Sequence, residues 1–322
     1  MNEEPYSMIY TDIKANGDLL HVSKLAIGSA VRMQALSKEE LFSIYDCYLE
    51  YGGNCIDTAR AYAGGRAEEL VGEYMKIRGN RNRIIVSTKC GHPNEDGKSR
   101  LSYEEMKSDL DTSLKALNTD HVDIYWVHKD DKKEPVEGII DGLNRLLKSG
   151  KIRMIGASNW TVERIASANN YAKESGQIGF GSSQIQWSFA DTLSLYFQQY
   201  TSLVMDDDSY EWYKKHEMPV FAFSAQAQGF FQKVAAGGLA SLDMEVQRNY
   251  GSPENMRRLA RAQKYAREHE VPLAVPILGY LIQNEVTCIP IIGSDNKEML
   301  LESLLAGEKL VTPEDACWLA RG

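Results

Sequence analysis

The chain has 322 residues, of which 43% are hydrophobic and 25% are charged, and its net charge is −9. This composition is typical of a soluble globular protein that is long enough to bury a large core. The acidic balance argues against a nucleic-acid partner, which needs a basic surface, and no apolar run reaches the length of a membrane span.

The cysteines and the first residues indicate the compartment. The five cysteines are widely separated and include no CxxC pair, as expected for free thiols in a reducing environment. The opening segment, MNEEPYSMIYTDIK, begins acidic and lacks the apolar region of a secretory signal. We therefore expect a cytoplasmic protein.

In chain order, a predicted hairpin comes first and apolar runs then alternate with amphipathic helices. The hairpin is centred on Asn16-Gly17, which favours a two-residue turn, and we expect it at the bottom of the domain. The apolar runs are continuous, as in parallel strands covered on both faces. Eight of them are found, at 24–30, 54–59, 83–90, 121–128, 151–159, 181–189, 218–226 and 286–294.

A helical segment follows each predicted strand. Ser37 with Glu40, and Ser102 with Glu105, form capping boxes at the starts of the first and third of these helices. In the first helix, apolar side chains recur at helical spacing until Gly52. Further helices are predicted at about 67–78, at 136–148 and from 161 onward.

Eight such strand–helix units favour a closed (β/α)₈ barrel over an open doubly wound sheet. Two long connections, at about 191–217 and 229–253, follow late strands, where barrel enzymes keep their substrate loops. No repeat, linker or low-complexity tract divides the chain. We expect residues 1–322 to form one α/β domain, a TIM barrel with an N-terminal hairpin.

Polar side chains stand at the predicted carboxyl ends of the strands, which meet at one mouth of a barrel. Asp57 and Tyr62 follow the second strand, Lys89 ends the third and His128 ends the fourth. Each has an ordinary explanation alone, such as a loop cap, a solvated charge or a core histidine. Together they predict a catalytic cleft.

An acid, an ammonium, a phenol and an imidazole form a proton-transfer apparatus. The ammonium lowers the pKa of the phenol from its usual value of about 10, and the imidazole orients a substrate oxygen or shares its proton. No serine elbow or HExxH motif is present, and Cys90-x-His92 is only a weak metal spacing. No metal is expected, and the simplest attacking species is a hydride from a bound cofactor.

Three segments resemble the signatures of the aldo-keto reductases. They are GGNCIDTARAYAGGRAEELVG, DHVDIYWVH and KIRMIGASN, within a similarity that runs from about residue 24 to about residue 306. The resemblance implies an NAD(P)H-dependent carbonyl reductase or alcohol dehydrogenase for an aldehyde, ketone or keto-sugar. It also implies a catalytic tetrad of Asp57, Tyr62, Lys89 and His128, with Tyr62 as general acid in reduction and general base in oxidation.

The same resemblance places the cofactor extended across the barrel mouth. Ser158, Asn159 and Gln184 would hold the carboxamide, which needs both donors and acceptors, and Phe223 would stack on the nicotinamide. The pyrophosphate would lie along the segment 224–229, through Ser224, Ala225, Gln226 and Gln228. Family members commonly have Pro and Leu where this chain has Ala225 and Gln226.

The adenosine end is expected at IPIIGSDNKEMLLESLL, where Gly293 and Ser294 would begin a helix whose N-terminus accepts a phosphate. The position that reads the 2′-phosphate in the family holds Met299, and the adenine-contacting pair corresponds to Glu302 and Ser303. Lys297 is either a point-charge substitute, lacking the bidentate fork of arginine, or a solvated helix residue. NADP(H) is the expected cofactor by family habit, and NAD(H) is the rival.

Some alternatives stay open at this point. A cofactor-sensing regulatory subunit shares the fold, although an intact tetrad favours catalysis. Trp126, Trp160 and Trp187 either shape a sugar or aromatic site or pack in the core. Arg60 has no role that the resemblance supplies, so a surface charge is expected. The sequence predicts neither the substrate, nor the physiological direction, nor the oligomeric state.

Overall fold

The computed structural model describes residues 8–29, 36–192, 202–308 and 310–322. Its strands are short and, from the third onward, nearly all of their residues are buried. In chain order they are β1 Tyr10–Ala15, β2 Asp18–Ser23, β3 Ala26–Gly28, β4 Cys55–Asp57, β5 Ile85–Cys90, β6 Val122–Val127, β7 Ile152–Ser158, β8 Ser182–Gln186, β9 Val220–Phe223 and β10 Cys288–Ile292.

The eight strands β3 to β10 close into one parallel barrel, in which neighbours in sequence pair and β10 completes the ring against β3. The predicted (β/α)₈ barrel is confirmed. Every residue of β5 and β6 is buried, because parallel barrel strands face the interior on one side and helices on the other. The strands are shorter than predicted; β9 ends at Phe223 because Ser224 has a φ of 53°. Residue 30, in the first predicted strand, lies outside the described residues.

Helices surround the barrel. Those found in the described part are α1 Lys38–Glu50, α2 Arg66–Arg78, α3 Tyr103–Ala116, α4 Val136–Lys148, α5 Val162–Glu174, α6 Asp207–Lys215, α7 Phe230–Gly237, α8 Met244–Tyr250, α9 Pro253–Glu268, α10 Ala274–Ile282, α11 Lys297–Leu304 and α12 Pro313–Arg321. Both predicted capping boxes are confirmed, at the starts of α1 and α3. Each satisfies backbone N–H groups that the first helical turn leaves unpaired.

The two long connections are more regular than predicted. The first contains α6, and its residues 193–201 lie outside the described part. The second is not an open loop, because it carries α7 and α8. Buried aromatic side chains explain this order: Phe230 and Phe231 of α7 and Tyr250 of α8 join Phe189 in an apolar cluster beside the barrel.

The N-terminal hairpin closes the amino end of the barrel, as predicted. Strands β1 and β2 pair around the Asn16-Gly17 turn, whose φ angles of 34° and 85° suit Asn and Gly. The buried face of the hairpin, which includes Ile13, Leu20 and Val22, packs against residues at the amino ends of the strands. The opposite, carboxyl end of the barrel is left for the loops that carry the predicted site.

Trp126, Trp160 and Trp187 belong to the core. Trp126 and Trp160 are fully buried and Trp187 is 5% exposed. Trp126 fills the space above Gly156, where an added Cβ would lie 2.2 Å from the indole. The alternative that these rings shape a substrate site is not supported for Trp126 or Trp160.

Among the described residues, no helix is long and apolar enough to cross a membrane.

Candidate active site

The four residues of the predicted tetrad meet at the carboxyl end of the barrel. Asp57 is the last residue of β4, Lys89 is the next to last of β5, and His128 directly follows β6. Tyr62 begins a short 3₁₀ turn, Tyr62–Gly65, before α2. The turn folds back sharply because Ala63 and the two glycines after it have positive φ.

Asp57 and Lys89 form a buried ion pair. The Lys89 Nζ lies 2.7 Å from Asp57 Oδ2 and also donates to the Thr58 carbonyl at 2.8 Å. The other carboxylate oxygen, Oδ1, accepts from Ser87 Oγ at 2.6 Å and from Gln184 Nε2 at 3.0 Å. Asp57 is 3% exposed and Lys89 is 2% exposed. These hydrogen bonds hold both charges in place and offset the desolvation of the pair.

The ammonium of Lys89 lies against the phenol of Tyr62. Its Nζ is 4.8 Å from the ring centroid. Burial lowers the pKa of Lys89, but the charges of Asp57 and Tyr62 outweigh burial and hold this pKa above its ordinary value. Lys89 acts to lower the pKa of Tyr62, as predicted, but burial raises this pKa by more, so the net shift is above its ordinary value. Tyr62 therefore keeps its proton at neutral pH.

His128 also lies close to Tyr62. The two ring centroids are 5.9 Å apart and the rings are nearly perpendicular, at 80°. Burial, followed by the charges of Lys89, His92 and Lys129, holds the pKa of His128 well below its ordinary value. The imidazole is neutral at pH 7, and its buried Nδ1 has no hydrogen-bond partner among the described residues. A neutral imidazole can donate one hydrogen bond to a substrate oxygen.

The predicted carboxamide residues lie next to this group. Ser158 ends β7 and Gln184 lies in β8, with exposures of 1% and 2%. Asn159 has a φ of 60°, and its Nδ2 donates to the His128 carbonyl at 3.2 Å and to Ser158 Oγ at 3.1 Å. Phe223 ends β9 and is partly exposed. Buried amides and hydroxyls beside a partly exposed ring fit the polar and flat parts of a nicotinamide.

The segment after β9, where the pyrophosphate is expected, is a tightly turned loop. Ser224, Ala227 and Gln228 have φ values of 53°, 49° and 57°. The N–H groups of Ala227 and Gly229 donate to the carbonyls of Ser224 and Gln226, each at 2.8 Å. Ala225 is buried, and Gln226 Nε2 donates to Ser303 Oγ of α11 at 3.0 Å. The segment 224–229 is thus in contact with α11, and an extended dinucleotide is expected to bind along both.

The adenosine end departs from the prediction in one respect. Gly293 and Ser294 do not begin the helix; α11 begins at Lys297, because Asn296 is extended and its side chain accepts the N–H of Met299 at 2.8 Å. Ser294 is buried, and its Oγ donates to the Asn296 carbonyl at 2.7 Å. Lys297, Met299 and Glu302 are exposed, whereas Ser303 is buried.

Two polar groups that the sequence analysis missed support the site. Ser87 donates a hydrogen bond to Asp57. Its spacing of two residues from Lys89 places both side chains on one face of β5, so the sequence could have indicated Ser87. Glu68 of α2 is fully buried and accepts from Thr88 Oγ1 at 2.6 Å; a buried glutamate is not expected from a helix pattern. Among the described residues, no group of three or more His, Cys, Asp or Glu could hold a metal.

Comparison with known proteins identifies the family. The model of the Aldo/keto reductase family matches residues 24–317, so the chain belongs to that family. The protein is an oxidoreductase of carbonyl and alcohol groups, and aldo-keto reductases use nicotinamide cofactors. The roles of the individual site residues stay predictions.

Several curated relatives are similar over most of this chain. An aryl-alcohol dehydrogenase of Pestalotiopsis microspora is 27% identical, over 92% of this chain and 77% of its own. The aryl-alcohol dehydrogenase [NADP(+)] of Phanerodontia chrysosporium is 27% identical, over 95% and 83%. A norsolorinic acid reductase of Emericella nidulans is 28% identical, over 83% and 68%.

Proposed function

We propose that the protein reduces the carbonyl group of an aldehyde, ketone or keto-sugar, and oxidises the corresponding alcohol in reverse, with Tyr62 as the proton donor and acceptor. One observation carries this proposal: a protonated phenol lies close to both a buried ammonium and a neutral imidazole at the barrel mouth. The chain is proposed to act as a single domain over residues 1–322.

Each tetrad residue has a distinct part in the proposal. Tyr62 gives its proton to the substrate oxygen as that oxygen gains charge. Lys89 stabilises the phenolate that remains, Asp57 keeps Lys89 in position, and His128 orients the carbonyl through a hydrogen bond. A nicotinamide cofactor, when bound, supplies the hydride.

We further propose that the cofactor is NADP(H) by preference, with NAD(H) also used. In support, Ser158 and Gln184 lie at the carboxyl end of the barrel, and Gln226 of the segment 224–229 donates to Ser303 of α11. One relative is named for its use of NADP(+). The absence of an arginine at Met299 makes the preference modest.

The replacement Tyr62→Phe tests the function directly. A panel of aldehydes, ketones and keto-sugars is screened by oxidation of NADPH, and the best substrate is used for single-turnover measurements. We expect the variant to lose about 10²- to 10⁴-fold in the rate of reduction, since general acid catalysis contributes that much. Cofactor binding, measured by fluorescence quenching, should persist.

The matched control is Tyr171→Phe, which removes a phenol bonded to Asp141 on the helical shell. It should keep the wild-type rate. Near-normal turnover by Tyr62→Phe would remove Tyr62 as the acid. Tight cofactor binding without turnover of any carbonyl compound by the wild type would instead favour the cofactor-sensing subunit.

A further inference from the structure

A cavity of about 240 Å³ opens beside the tetrad, between the loops that follow β4 and β5. It borders the candidate active site at two points. Lys89 forms part of its wall, and His92 brings its ring to 5.1 Å from the ring of His128. Its polar lining consists of Arg60, Lys89, His92, Asn94, Arg100 and Asp109. The cavity thus adjoins the tetrad through Lys89 and His92, although neither Tyr62 nor His128 lines it.

The charges of the lining do not cancel. Lys89 is paired with Asp57, and Arg100 is paired with Asp109. Arg60 forms no salt bridge with any carboxylate of the described residues; its Nη1 donates to the Gly64 carbonyl at 3.1 Å. His92 and Asn94 add polar groups without negative charge. One guanidinium of the lining thus has no salt-bridge partner among the described residues, in a chain whose net charge is −9.

Neighbouring groups hold Arg60 in that position. The guanidinium lies against Gly65, where an added Cβ would be 1.6 Å from Arg60 Nη1. The absence of a side chain at Gly65 therefore leaves space for the guanidinium. The carboxyl of Glu68 is close enough to interact with Arg60, but it is fully buried and bonded to Thr88. Burial raises the pKa of Glu68 above its ordinary value, and the charge of Arg60 opposes this effect.

The phosphates of the cofactor are not expected to pair with Arg60. The residues proposed to hold the dinucleotide follow β7 to β10, on the other side of the mouth, whereas Arg60 and His92 follow β4 and β5. The cavity therefore lies away from the proposed cofactor site and beside Lys89 of the tetrad.

We propose that this cavity binds an anionic group of the substrate, a carboxylate or a phosphate, through Arg60 with His92 and Asn94 beside it. The inference rests on the proposed function and deepens it: the substrate is an acidic carbonyl compound. A guanidinium suits this task because its planar fork pairs with two anionic oxygens at once.

The kinetic test compares matched substrates that differ in charge. The ratio of kcat/KM for 4-formylbenzoate over 4-methylbenzaldehyde measures recognition of a carboxylate. The same ratio for glyceraldehyde 3-phosphate over glyceraldehyde measures recognition of a phosphate. We expect at least one ratio to exceed one in the wild type and to fall about 10- to 100-fold in Arg60→Gln, the range for a charged hydrogen bond. The ratio that falls identifies the anion.

Two further variants separate charge from folding. Arg60→Lys keeps the cation and should retain part of the ratio, and thermal unfolding shows whether each variant is folded. Arg66→Gln is the matched control, since it removes an exposed arginine of α2 paired with Glu69 and should leave both ratios unchanged. Equal ratios in the wild type and in folded Arg60→Gln overturn the proposal, as does an equal loss in Arg66→Gln.

A binding measurement gives an answer that does not depend on turnover. Benzoate, its neutral analogue benzamide, and inorganic phosphate are titrated calorimetrically into the wild type and Arg60→Gln. We expect benzoate or phosphate to bind at least 10-fold more weakly to the variant, with benzamide unaffected. Equal binding of every anion to both proteins overturns the inference. Arg60-dependent anion binding without reduction of any aldehyde supports the cavity and contradicts the proposed reductase activity.

Discussion

Lys89 shows how one buried side chain can set the chemistry of its neighbours. Its charge is held by Asp57 at 2.7 Å and lies over the ring of Tyr62. The same charge contributes to the low pKa of His128. Burial favours the neutral forms of both Tyr62 and His128. The phenol is therefore protonated and the imidazole neutral at pH 7, the states suited to reduction.

The replacement Lys89→Met tests this electrostatic role. Alcohol oxidation needs the phenolate of Tyr62, so its rate rises with pH until the phenol has ionised. Lys89 lowers the pKa of Tyr62 against the larger effect of burial, and removing the cation leaves burial unopposed. We expect the limb of the pH–rate profile for oxidation to move to higher pH, with a severe loss of rate at pH 8.

The measurement is kcat for oxidation between pH 6 and pH 11 in both proteins. Lys151→Met serves as the control, because Lys151 is partly exposed and pairs with Asp111 away from the mouth. An unchanged profile with normal activity in Lys89→Met would rule out the role.

At the scale of one element, α11 links the barrel to the expected phosphate site. Asn296 caps it, and its first turn presents Lys297 and Met299 to solvent. The charge of Lys297 also reaches Asp46 of α1, where it assists Arg78 in lowering the pKa of that carboxyl. Lys297 is thus an exposed cation at the start of α11 whose charge also acts on a carboxyl of α1.

Cofactor preference should depend on this lysine. We expect Lys297→Ala to weaken NADPH binding roughly fivefold, because an exposed ion pair contributes up to about 1 kcal/mol. NADH lacks the 2′-phosphate and should bind almost as before. Fluorescence titration of both cofactors decides the matter, with Lys173→Ala of α5 as the control for an exposed helix lysine. Equal losses for NADPH and NADH, or no loss for either, would exclude Lys297 from the phosphate site.

At the scale of the whole molecule, the N-terminal hairpin covers the amino end of the barrel. Its two strands pair in register, so neighbouring residues alternate between the barrel and solvent. Leu20 is 1% exposed and belongs to the cluster at the amino ends of the strands, whereas Leu19 is 53% exposed. The hairpin does not cover the carboxyl end of the barrel, where the tetrad lies.

This alternation predicts very different costs for two adjacent replacements. Leu20→Ala should lower the free energy of unfolding by about 2–5 kcal/mol, as expected for a buried leucine. Leu19→Ala should change it by less than about 0.5 kcal/mol, because it lies on the solvent face. Urea denaturation of both variants measures the difference. Similar losses for the two would show that the hairpin does not seal the barrel in this register.

The sequence by itself determined the barrel, the starts of α1 and α3, and the end of the barrel at which the four tetrad residues lie. Continuous apolar runs and capping boxes are local patterns, and the carboxyl ends of all strands meet at one mouth of a barrel. Asp57, Tyr62, Lys89 and His128 could thus be assigned to one mouth from chain position alone, and the family resemblance added their roles.

Only the tertiary structure decided what depends on distance and burial. It brought Ser87 and Gln184 onto one oxygen of Asp57, from strands far apart in sequence. It showed that burial outweighs the lowering effect of Lys89 on the pKa of Tyr62, because desolvation depends on every neighbour. It also placed the half-buried Arg60 in the wall of a cavity next to Lys89. Local patterns carry none of this, since these contacts join residues that the chain order keeps apart.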